Sequence, residues 1–157
     1  MRALRLSNER GTALVEFALV LPVLMLALFG VLDFGKAFNY WNDQNHLAAE
    51  GARWAVVNSN PGGGSLQQYI QQQADTAELR SRATVCISFP SNSDTGTSGQ
   101  VGDPVEVSVK STYNWVPFVA QRAGLAPTTT ITGSATMRLE ALPTNVSAGG
   151  GGTGSCS

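Results

Sequence analysis

The sequence predicts an α+β chain in which a long N-terminal helix, membrane-spanning in its first half, is packed by a small antiparallel sheet of about three strands. Three observations lead there. An apolar run, Ala13 to Leu32, lies close to the N-terminus. A helical apolar period continues beyond it to Val56. Three later segments alternate apolar and polar residues, the period of a half-buried strand.

The apolar run comes first. It is 20 residues long with a single charge, Glu16. At about 1.5 Å per residue it covers roughly 30 Å, the thickness of a bilayer core. A secretory signal has an apolar region of only about 7–15 residues followed by a small-residue cleavage site; here Leu32-Asp33-Phe34 follows. A buried core helix usually carries a run of about 10–14. A membrane-inserted helix, residues 12–33, is therefore expected. Residues 1–11 precede it as a short basic leader with Arg2, Arg5 and Arg10 against Glu9. Their charge places the leader in the cytoplasm and the rest of the chain outside it. Glu16 lies only a few residues inside the run. It either snorkels to the headgroup layer or pairs with a positive group on a neighbouring chain, since an unpartnered carboxylate in lipid is costly.

Beyond Leu32, Phe34, Ala37, Phe38, Trp41, Leu47, Ala48, Ala52, Ala55 and Val56 recur at three- and four-residue steps. They read as one stripe on a helix of on the order of 70 Å, its second half covered by a domain spanning residues 34–143. Asp33 with Lys36, and Glu50 with Arg53, read as solvated surface pairs of little energy. Pro22 is tolerated in a membrane helix although it removes one backbone hydrogen bond. Asn58 to Gly64 ends the helix in a turn. Leu66 to Arg82 reads as a second helix. Val85, Ile87 and Phe89, then Val105, Val107 and Val109, then Ile131, Ala135 and Met137 give three strands with one apolar face. Between them, Pro90 to Gly102 is a polar loop. Asn114 to Pro127 is an apolar connection whose Trp115, Phe118 and Leu125 read as a core plug. Residues 144–157 read as a Gly-rich flexible tail.

The composition excludes several functions. Charged residues are 13% of the 157 and the formal net charge is -1, so nothing suggests a nucleic-acid footprint, which would need a basic excess on one face. The single histidine, His46, leaves a catalytic triad or a His-rich metal site little to draw on, and no cofactor is expected. The cysteines, Cys86 and Cys156, have no CxxC spacing. An extracytoplasmic domain permits them to pair as a disulfide, which would stabilise by roughly 4 kcal/mol. The glycine-rich surroundings of Cys156 argue the other way.

The N-terminal residues resemble a known family. A basic leader ending in Gly11, with Glu16-Phe17 at the fifth and sixth positions beyond it, is similar to the class III signal of type IV pilins and pseudopilins. LFGVLDFGKAF (28–38), NHLAAEGARWAV (45–56) and, more loosely, VEVSVKSTYNWVPF (105–118) and ITGSATMRLE (131–140) resemble TadE-like proteins. Those are minor pilin-like components of the tight-adherence, or Flp, pilus. The resemblance implies cleavage by a prepilin peptidase between Gly11 and Thr12, with Phe17 part of the processing motif. It implies that Glu16 sets the register of the subunit, against the Thr12 amine of a neighbour. The implied partners are the prepilin peptidase, other pilins, the assembly platform and the lipid bilayer. The implied location is the bacterial inner membrane or the pilus, and the implied architecture is pilin-like. The alternative is an uncleaved, single-pass anchored module for binding or for secretion, and no enzyme is expected on either reading.

Overall fold

The computed structural model describes residues 9–152, with side chains described for 11–150. Helix α1, Glu9–Val56, is one unbroken element of 48 residues with Pro22 inside it. It is followed by α2 (Leu66–Gln72), α3 (Ala77–Arg82), β1 (Thr84–Ser88), β2 (Pro104–Asn114), α4 (Pro117–Ala123), β3 (Thr128–Arg138) and β4 (Gly149–Gly152). The strands form one antiparallel sheet in the order β3-β2-β1-β4. The α+β class and the long helix laid on a small sheet agree with the sequence.

The core lies between the second half of α1 and one sheet face. Val85 pairs with Val109 and Ile87 with Val107, and Val107 and Val109 pair onward with Ala135 and Gly133. This register puts the branched side chains in a single row under α1. The facing positions of α1 are small: Ala48, Ala52 and Ala55 are fully buried. Helix and sheet consequently approach closely. At Gly133 an added Cβ would lie 2.4 Å from the Gln44 carbonyl carbon and 2.5 Å from the Asn45 nitrogen, so only glycine fits there.

Helix α1 stops where Asn58 adopts φ 53° and the amides of Asn58 and Ser59 turn back to the carbonyls of Ala55 and Trp54. The Asn58 side chain then accepts from the amide of Asn145 (2.7 Å) and donates to Thr144 Oγ1 (2.7 Å), tying the C-terminal segment to the end of α1.

Four expectations are corrected. The sheet has a fourth strand, β4, within the stretch read as a flexible tail. It is glycine throughout, so it carries no alternation, and pairs through its backbone alone along Thr84 to Ile87. Its approach is fixed by Val146, 3% exposed, and by Gln67, whose Nε2 donates to the carbonyls of Ser147 (2.9 Å) and Gly149 (3.3 Å). Second, the segment Leu66 to Arg82 is two helices. Thr76 caps α3 by accepting from the Leu79 amide (3.1 Å), and the Asp75 amide donates to the buried Asp43 carboxylate (3.1 Å). Burial raises the pKa of Asp43, and the Asp75 hydrogen bond opposes that rise. Third, the stripe on α1 divides. Leu47 onward is core, but Phe34, Phe38 and Trp41 are exposed; the buried positions at that height are Asp33, Ala37, Tyr40, Asp43 and Gln44. Fourth, Phe118 and Leu125 do not plug the core but face outward at 45% and 49% exposure, while Val119 and Ala120 turn inward.

Candidate functional site

From Gly11 to Leu32 no residue of α1 is buried, although the stretch is long and apolar enough to cross a membrane. Leu14, Leu19, Val23 and Val31 are each about as open as on an isolated helix, at 69–73%. The domain therefore covers only the second half of α1. The sequence-derived site residues lie on the uncovered half: Gly11, Thr12, Glu16 and Phe17 are exposed helical positions. Thr12 and Glu16, one turn apart, share a helix face.

The covered half begins at Asp33, 5% exposed. Its side chain accepts from the Tyr113 hydroxyl on one oxygen and from the Val116 amide (2.8 Å) on the other, and its backbone carbonyl accepts from the same hydroxyl (3.0 Å). Asp33 thus binds the end of β2 to the point where α1 leaves its apolar run. Burial, then the bond to Asp33, raises the pKa of Tyr113 well above its ordinary value.

Around this latch lies a ring of aromatic and charged groups. Tyr40 meets Tyr113 edge-on at 5.4 Å, and Tyr113 meets Trp115 at 5.0 Å. The Tyr40 hydroxyl donates to Glu78 Oε2 (2.7 Å), which also takes Lys36 Nζ (3.0 Å); Arg82 reaches Glu78 Oε1 at 3.2 Å. The hydrogen bonds from Tyr40 and Lys36 hold the Glu78 carboxyl below its usual range, and the bond to Glu78 raises Lys36. Lys36 therefore pairs across to α3, not with Asp33 as expected from sequence.

Higher on α1, Gln44 is wholly buried. With its amide oriented to satisfy both ends, it donates to the carbonyls of Ile131 (2.8 Å) and Val109 (3.2 Å) and accepts from Ser111. It joins α1 to β2 and to the edge strand β3 and leaves no buried polar side-chain atom unpaired among the described residues.

The predicted disulfide is half in view. Cys86, on β1 opposite Gly150 of β4, is disulfide-bonded. The chain has one other cysteine, Cys156, which lies outside the described residues, as does most of the 1–11 leader. Among the described residues no group of three His, Cys, Asp or Glu could hold a metal ion.

Sequence reading missed the latch, because Asp33 and Lys36 at the end of an apolar run look like a solvated pair. The available signal was spacing: Asp33, Ala37, Tyr40, Gln44, Leu47 and Gly51 follow steps of four, three, four, three and four, a continuous helix face regardless of polarity.

These features define a class: an α+β protein that carries its domain on one half of a helix and leaves the other, apolar half uncovered. Residues 11–53 match the family model described as TadE-like protein. The match lies wholly within α1 and includes both Glu16 and Asp33. Comparison with curated proteins and with solved structures finds no match.

Proposed function

We propose that the chain is a minor pilin-like, TadE-type subunit that supports assembly, initiation or the tip of a tight-adherence pilus, a structural rather than a catalytic role. The observation that carries this reading is the bare first half of α1. It offers lipid, or the helices of other subunits, an apolar surface interrupted by one carboxylate, Glu16. The family match over the same residues supports it. Before assembly the helix is held in the inner membrane, with the domain outside the cytoplasm. After a prepilin peptidase cuts between Gly11 and Thr12, the new amine of one subunit pairs with Glu16 of another. Removing both charges from lipid contact would favour one axial register over its neighbours. Glu16→Ala is therefore expected to leave processing intact and to reduce piliation of the native host. Normal pilus number in that variant would remove the registering role.

A second reading has its own support. Helix α1 starts at Glu9, so the Gly11–Thr12 bond lies inside a regular helix rather than in an extended segment open to a peptidase. On that reading the chain is an uncleaved anchored module that binds a ligand or assists secretion, and Glu16 snorkels.

A further inference from the structure

The end of the domain nearest the apolar run has an unusual surface. Strand β2 runs toward that end, since Tyr113 reaches Asp33 while the start of β2 lies beside Arg138 and Leu139, near the C-terminus of α1. Only Trp115 and Val116 separate helix α4 from the end of β2 at Asn114, and the Val116 amide is bonded to Asp33. Helix α4 therefore starts at the height where α1 emerges from its apolar run. Val119 and Ala120 turn inward, but Val116, Phe118 and Leu125 are 41–49% exposed. Phe34 and Phe38 of α1 are open at 65% and 56%.

In water such a cluster is costly, and the position of α4 indicates what covers it. If Ala13 to Leu32 fills a hydrocarbon core of about 30 Å, the headgroup layer occupies roughly the next 5–8 Å. Phe34 and Phe38 then lie within about 10 Å of the core edge, with helical side chains leaning back toward the N-terminus. Aromatic residues concentrate at that depth. The charge suits the same layer. Arg122 lies on the exposed side of α4 with its guanidinium 5.8 Å from the Phe118 ring centre, and Lys36 and Arg82 stand at the same end of the domain. The acids there are Asp33, which is buried, and Glu78, which is paired with those two cations.

We propose that residues 116–125, with Phe34 and Phe38, form an interfacial membrane contact that seats the domain on anionic lipid headgroups. Phe118 and Leu125 enter the acyl boundary, and Arg122 meets lipid phosphate. This contact fixes the tilt of the domain on its anchor before assembly, and it must be given up when the subunit leaves the bilayer. It rests on the reading of α1 as a membrane span.

The test uses the full chain with its native disulfide, in vesicles of phosphatidylethanolamine and phosphatidylglycerol at a three-to-one ratio. A nitroxide is attached to one introduced cysteine at a time: Phe118→Cys, Leu125→Cys, Leu24→Cys inside the apolar run, and Ser93→Cys in the loop at the far end of the domain. Each label's accessibility to oxygen, which partitions into lipid, is compared with its accessibility to a water-soluble nickel chelate. The expected result is an oxygen-to-nickel ratio at 118 and 125 several-fold above that at 93 and below that at 24. In F118C and L125C carrying Arg122→Glu, the ratio should fall toward the value at 93. Equal ratios at 118, 125 and 93, with 24 still in lipid, would overturn the interfacial contact and leave the anchor standing. Labels at 118 and 125 shielded from both reagents would also overturn it, in favour of contact with a second copy. A water-like ratio at 24 would overturn the anchor and this inference together.

Discussion

The Tyr113 hydroxyl reaches across from the end of β2 to the side chain and backbone carbonyl of Asp33, the first buried residue after the apolar run of α1. The domain is thus fastened to its helix at the boundary between the covered and bare halves. Tyr113→Phe keeps the ring stacking but leaves Asp33 short of a partner, a loss of about 1–3 kcal/mol. Denaturant unfolding of the detergent-solubilised chain measures it. The raised pKa values of Tyr113 and Lys36 set an alkaline limit as well. Both groups are protonated in the folded state beyond their ordinary values of 10.0 and 10.5, so their stabilisation is complete below those values and is lost as pH rises above them. The pH-unfolding slope above pH 10 should be shallower in Tyr113→Phe than in the parent chain. An unchanged slope would mean that Tyr113 does not govern this limb.

Gly133 and Gly51 both face crowded space, yet alanine should behave differently at each. At Gly133 the new methyl meets α1 backbone, which cannot move without separating helix and sheet. At Gly51 it meets chiefly Ile70 Cδ1 at 2.5 Å, the free end of a flexible side chain. Gly133→Ala should cost about 3 kcal/mol. Gly51→Ala should stay within about 1 kcal/mol of the parent, because the gain in helix propensity offsets the repacking of Ile70. Thermal unfolding of the two variants side by side checks the order.

Reducing the disulfide of Cys86 should loosen the sheet edge first, since β4 has no side chains to hold it. Backbone amides of Gly149 and Gly150 should lose hydrogen-exchange protection before those of β2, and overall stability should drop by roughly 4 kcal/mol. Exchange measured with and without reductant reads both effects.

The legible parts of this fold were those where one physical rule acts alone. Hydrophobic length marked the apolar run, and strict alternation marked β1 and β2, whose inward positions from Val105 to Tyr113 are all buried. Two features stayed hidden because a hydrogen bond replaced an apolar contact. The buried face of α1 passes through Asp33, Tyr40 and Gln44, so a hydrophobic count followed Phe34, Phe38 and Trp41 to the wrong side. Strand β4 contains only backbone, and its approach is held by Gln67, distant in sequence. The candidate processing residues Gly11, Thr12, Glu16 and Phe17 rest on the resemblance, and the structure adds that all four are exposed on one continuous helix.

The most direct test of the pilin-like reading is the N-terminal residue of the protein extracted from membranes of its native host, by intact mass and terminal sequencing. Processing predicts a chain that begins at Thr12. Gly11→Ala should still yield it, and a bulky residue at position 11 should abolish it. A parent chain that retains Met1 and the residues up to Gly11 would contradict the account, because Glu16 would then have no Thr12 amine to meet.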